Sequence, residues 1–99
     1  MASQARISSE ELHSALAGLP GWELAGEKLH REYRFPDFIH AFGFMATAAV
    51  MIEALGHHPE WSNVYNRVTV DLTTHDAGGI TAKDLELARK LEAIAGKLQ

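Results

Sequence analysis

The 99-residue sequence has no cysteine, only three prolines and no concentration of positive charge. Each shortage excludes something. Without thiols there are no disulfides and no thiolate metal sites, and a reducing compartment is the expected setting, with the cytoplasm as the default. The net charge is −4 and lysine and arginine are scattered, so no basic patch exists to neutralise a phosphate backbone and direct nucleic-acid binding is not expected. The longest apolar run, Phe38 to Leu55, is interrupted by His40, Gly43, Thr47 and Glu53. It barely reaches the ~20 residues that cross a bilayer, so it reads as a buried helix and no membrane association is expected. The opening stretch MASQARISSEELHS lacks the apolar core of a signal peptide, and no export is expected. HExxH, a GxSxG elbow, a phosphate loop and GxGxxG are all missing.

What remains is a chain 46% hydrophobic and 22% charged, without repeat or linker, which reads as a single domain over residues 1–99. A domain this small buries a lesser share of its surface than a large one, and self-association is a common supplement. Ile7-Ser8 to Glu11-Leu12 has the form of a capping box with a hydrophobic staple, and Leu12, Ala15, Leu16 and Leu19 then recur at helical spacing until Gly18 and Pro20. From Trp22 to Phe35 the period becomes two, with Leu29, Tyr33 and Phe35 on one side and His30, Glu32 and Arg34 on the other, around a turn at Ala25-Gly26-Glu27. Pro36 and Asp37 open a long helix that ends at Gly56, a residue suited to the left-handed position after a helix. In that helix Phe38, Phe42, Met45, Ala49 and Ile52 form the predicted inner stripe, leaving Phe44, Val50 and Met51 outside it. That is more apolar surface than one sheet can cover, and it predicts a partner helix. Alternation returns from Trp61 to Thr74, with Val68, Val70 and Leu72 inward and a reversal near Asn66-Arg67. After a flexible HDAGG segment, Thr81 caps a last helix with Leu87, Ala88, Leu91, Ile94, Ala95 and Leu98 inside. The order α-β-β-α-β-β-α predicts an α+β fold: a four-stranded antiparallel sheet with helices packed on one face.

The chemistry concentrates in EALGHHPEWSNVYNRV, where two histidines stand at the end of the long helix. Histidine gives and takes protons near neutrality, which makes His57, His58 and His75 candidates for acid/base work. Each has a plainer reading: His57 and His58 can bond to helix-end carbonyls, Asp84 can complete a capping box with Thr81, and Glu53 can pair with His57 one turn on. Trp61 and Tyr65 can be ordinary strand aromatics. Glu53, His57, His58 and His75 are also conceivable metal ligands. Adjacent histidines diverge in direction, however, and no metal is expected.

Glu53-x3-His57-His58-Pro59, followed by Tyr65, His75 and Asp84 at intervals of five, nine and eight intervening residues, resembles the signature of the pterin-4a-carbinolamine dehydratase family. Gly21-Trp22, YRFPDFIHAFGFM and THDAGGITAKDLELA are similar to that family as well. The resemblance implies dehydration of 4a-hydroxytetrahydropterin to quinonoid dihydropterin and water without metal or organic cofactor, recycling the pterin of aromatic amino-acid hydroxylases. It implies His57 and His75 as acid and base, with His58, Glu53, Asp84, Trp61 and Tyr65 around the substrate. It further implies a homodimer or homotetramer, with an aromatic amino-acid hydroxylase as a pathway partner. Animal members also serve as dimerisation cofactors of a transcription factor, so a non-catalytic interaction module is the alternative.

Overall fold

A computed structural model describes residues 5–99. Helix α1 spans Ser9–Ala17 and opens on the predicted capping box, with the Ser8 hydroxyl accepting the Glu11 N–H at 3.2 Å and the Glu11 carboxylate accepting the Ser8 N–H at 3.4 Å. Strands β1 (Glu23–Ala25) and β2 (Lys28–Arg34) form the first hairpin. Helix α2 covers Phe38–Leu55, starts on the Asp37 carboxylate and stops at Gly56, whose φ of 70° is left-handed. Strands β3 (Glu60–Val64) and β4 (Arg67–Leu72) make the second hairpin, and helix α3 (Ala82–Leu98) completes the order α-β-β-α-β-β-α.

The two hairpins join through their second strands, giving one antiparallel sheet in the order β1-β2-β4-β3. Leu29 faces Leu72 and Tyr33 faces Val68 across that central seam, and all four side chains are buried. His30, Glu32, Thr69 and Asp71 point to the other side and stay partly or fully exposed. Period-two alternation therefore sorts the residues as predicted, and the helices cover the apolar face.

Helix α2 departs from its predicted orientation. The buried row is Ala41, Phe44, Ala48 and Ile52, whereas Phe38 and Phe42 stack on each other at the surface with ring centroids 5.9 Å apart. A helix apolar on every side carries almost no directional signal, so packing decides. The alanines let the helix sit close to the sheet, and Phe44 fills the space between Tyr33 (5.1 Å), Phe35 (5.2 Å) and Trp61 (6.5 Å). Ile39 and Val50 are left 77% and 75% exposed. By length and composition alone α2 would suffice to cross a membrane, yet one side of it is docked on the sheet.

Three smaller differences have local causes. The β3–β4 reversal falls on Tyr65-Asn66, one residue early, with Tyr65 at φ 50° and the Asn63 amide donating to the Tyr65 and Arg67 carbonyls. The HDAGG segment is ordered as a 3-10 turn, His75–Ala77, closed by the Thr74 N–H to the Gly79 carbonyl at 2.9 Å. Arg31 occupies an inward register position opposite Val70. Its guanidinium lies 4.3 Å above the Tyr33 ring and 3.7 Å from Glu92, a carboxylate that also accepts from Trp22 and the Tyr33 hydroxyl.

Candidate active site

Two helix ends build the site. Gly56 turns the chain out of α2 through a conformation that costs little without a Cβ. His57 follows immediately, and its Nε2 meets the Asp84 Oδ1 at 2.6 Å, in the first turn of α3. Asp84 is completely buried, and the His57 side chain is 13% exposed. The two readings of Asp84 hold together because a carboxylate has two oxygens. Its Oδ2 accepts the Thr81 N–H at 2.9 Å, closing the capping box, and also the Thr74 hydroxyl at 2.8 Å, while Oδ1 is left to His57. A helix N-terminus and three donors compensate the buried negative charge.

This division fixes the histidine's chemistry. An ionised carboxylate only accepts, so His57 donates through Nε2–H and a neutral ring presents an unprotonated Nδ1. Proton transfer at that nitrogen produces an imidazolium already paired with a buried carboxylate.

His75 opens the 3-10 turn after β4 and is exposed, with no side-chain hydrogen bond among the described residues. Its backbone is nevertheless tied to the same centre through Thr74, the residue before it. His58 is exposed and pairs with Glu53 at 3.2 Å, so Glu53 meets His58 rather than His57. Both groups are open to solvent, where such a pair adds little stability but leaves polar atoms available to a ligand. Among the described residues no cluster of three His, Asp or Glu side chains has a metal-binding arrangement.

Neither aromatic side chain is hydrogen-bonded into this network among the described residues. Trp61 is opposite Val70 on the inner side of the sheet and packs edge-on against Phe44. Tyr65 is exposed at the far end of β3, on the order of 17 Å of strand away from the histidine pair. Clefts of about 440 and 540 Å³ flank α1, and neither is lined by His57, His58 or His75. The residue that sequence reasoning missed is Thr74. Continuing the Val68, Val70, Leu72 alternation by one step places it inside, where a hydroxyl needs a partner.

Comparison with known proteins places the chain in a family. Residues 5–94 match the profile of the pterin 4 alpha carbinolamine dehydratase family, and the chain belongs to that family. A relative in Solibacter usitatus, provisionally named pterin-4-alpha-carbinolamine dehydratase, is 63% identical over 90 residues, covering 91% of this chain and 95% of its own. One of the same provisional name in Rhodopseudomonas palustris is 54% identical over 95 residues, with 94% of each chain covered. Among solved structures, a transcriptional coactivator/pterin dehydratase from Brucella melitensis superposes with a TM-score of 0.89 at 49% identity, over 92% of this chain and 99% of that one. A pterin dehydratase-like RuBisCO assembly factor of the alpha-carboxysome shares the fold, with a TM-score of 0.63 at 20% identity, over 76% and 87% of the two chains.

Proposed function

We propose that the protein dehydrates 4a-hydroxytetrahydropterin to the quinonoid dihydropterin. The observation that carries the reading is the largely buried His57 side chain held by the fully buried Asp84, itself bonded to the residue before His75. In the reaction the C4a–O bond breaks and the hydroxyl leaves as water with a proton from an acid, while a base removes the N5 proton and the N5–C4a double bond forms. No electrons are exchanged, and two imidazoles near neutrality supply both transfers. His57 and His75 fill these roles, and the exposed His58–Glu53 pair offers hydrogen bonds to the polar edge of the pterin. Trp61 and Tyr65 belong to the site only as more distant aromatic surface. The proposed setting is the cytoplasm, where the product, once reduced to the tetrahydropterin by a separate hydride-donating reductase, would serve an aromatic amino-acid hydroxylase again.

The second reading is a non-catalytic interaction module. The exposed apolar side of α2, with Phe38, Ile39, Phe42 and Val50, favours it, and that surface also suits self-association into a dimer or tetramer. The experiment is turnover of freshly generated 4a-hydroxytetrahydropterin above its spontaneous dehydration. His57→Ala and His75→Ala are each expected to lose about 10²- to 10⁴-fold in rate. His58→Ala is expected mainly to raise KM. Full activity in both alanine variants would exclude the mechanism, and an inactive wild type would favour the interaction module.

A further inference from the structure

We infer that Thr74 is the positioning residue that couples the two proton-transfer histidines, by orienting Asp84 with its side chain and closing the His75 turn with its backbone. The inference rests on the dehydratase reading for its kinetic consequence and on geometry for everything else. Thr74 and Thr81 are the buried hydroxyl residues in contact with Asp84, with Thr74 8% and Thr81 0% exposed. Their oxygens lie 2.7 Å apart, and Thr74 Oγ1 lies 2.8 Å from Asp84 Oδ2. The direction of the chain follows from counting protons. Each hydroxyl has one hydrogen, and the carboxylate has none to give. Thr74 must therefore donate to Asp84, and Thr81 must donate to Thr74 while accepting the Lys83 N–H at 3.2 Å. With both hydroxyls committed and the Thr81 N–H also on Oδ2, that oxygen is occupied. Only Oδ1 remains for His57, which holds the imidazole in its Nε2–H form.

The backbone of the same residue builds the other half. The Thr74 N–H donates to the Gly79 carbonyl at 2.9 Å, and the Thr74 carbonyl accepts from Ala77 and Gly78 at 3.1 Å each. These bonds close the turn whose first residue is His75. One threonine thus steadies the carboxylate that holds His57 and closes the turn that bears His75. Two histidines 18 residues apart in sequence are thereby anchored to one residue, His57 through its side chain and the His75 turn through its backbone.

The test separates positioning from mere packing. Nitrogen NMR of histidine-labelled protein without substrate reads the His57 tautomer, assigned by the signal lost in His57→Gln. The wild type is expected to show the neutral ring protonated at Nε2. Thr74→Val keeps the shape and removes the donor; Asp84 can still only accept, so the Nε2–H tautomer is expected to stay, while the freed carboxylate aims less well, shifting the His57 Nε2–H proton signal upfield and lowering kcat about 10- to 100-fold, the scale of a small misplacement of a reacting group. KM should stay within about twofold, since binding shared by ground and transition states is untouched. Thr74→Ser restores the hydroxyl and is expected to restore both the Nε2–H signal and kcat. A wild-type ring protonated at Nδ1 overturns the inference, as does a folded Thr74→Val with an unchanged Nε2–H proton signal and kcat. If Thr74→Val does not fold, the serine variant decides: a wild-type Nε2–H signal and rate support the role, and loss of both with fold intact overturns it. Because the Nε2–H signal is read without pterin, a protein lacking dehydratase activity would refute the proposed function while leaving this measurement standing.

Discussion

Replacing Asp84 by asparagine keeps the side chain's shape and changes only what its two ends can do. The carboxylate takes three donors: the Thr81 N–H and the Thr74 hydroxyl on Oδ2, and His57 on Oδ1. An amide has one oxygen and one NH2, so two orientations compete. With its oxygen toward His57, the amide places NH2 against the Thr81 backbone N–H, whose hydrogen cannot move. One buried donor is then unsatisfied, at a cost of about 1–3 kcal/mol. With the oxygen toward the threonines, every group is satisfied once His57 moves its proton from Nε2 to Nδ1. That orientation wins by roughly 5- to 150-fold in population. The fold therefore survives with a loss of about 1 kcal/mol, the difference between a charged and a neutral acceptor. Catalysis does not survive, because the neutral ring now offers a proton where it had offered a lone pair. The expected outcome for Asp84→Asn is a rate lower by about 10²- to 10⁴-fold, with thermal unfolding close to wild type. Stopped-flow turnover of freshly generated 4a-hydroxytetrahydropterin, paired with a melting curve on the same preparation, reads both. Wild-type kcat in the asparagine variant would refute the claim that this carboxylate sets the chemistry of His57.

Three other outcomes follow from the structure. The exposed Phe42, 56% accessible and stacked on Phe38, should lie in a self-association surface. Phe42→Glu is then expected to lower the mass found by light scattering at micromolar concentration, and a strictly monomeric wild type would contradict this. Burial first, and the bond to Glu92 second, raise the pKa of Tyr33 above that of a free phenol. The folded state holds its proton longer than the unfolded state does, so this stabilisation is complete below about pH 10 and is lost as pH rises further, by at most about 1.4 kcal/mol per pH unit. Urea titrations at alkaline pH should show that decline, flattened in Tyr33→Phe. Exhaustive chelation should leave turnover unchanged, and activity abolished by chelator and restored by zinc would replace the acid/base mechanism with a metal-assisted one.

Local rules made much of this fold legible. Helix starts at Ser8, Asp37 and Thr81 follow from side chains that accept orphan N–H groups, and the stop at Gly56 from a residue free to turn left-handed. Alternation found the inner residues of β2 and β4. The orientation of α2 was not legible, because a helix apolar all round can present any side. Phe44 is chosen over Phe42 by the ring-shaped space among Tyr33, Phe35 and Trp61, a property of the assembled core. Arg31 escaped for the same reason: its inward position is tolerated only because Tyr33 and Glu92 meet it there.

The site was more legible than α2 because it is made of helix ends. Where a helix stops, the chain changes direction within one or two residues and leaves polar backbone groups needing partners. The end of α2 meets the start of α3, so residues chosen to terminate one helix and begin the other are also brought face to face. The cap and the contact with His57 are therefore compatible at Asp84, although the sequence offered the cap as the plainer alternative. The cap occupies one oxygen and thereby aims the other at His57. A glutamate could close the same capping box, but its extra methylene would carry the second oxygen past the histidine. Spacing along the sequence reveals such a cap. The hydroxyl of Thr74 arrives from the end of another strand, and only the folded chain places it on that carboxylate.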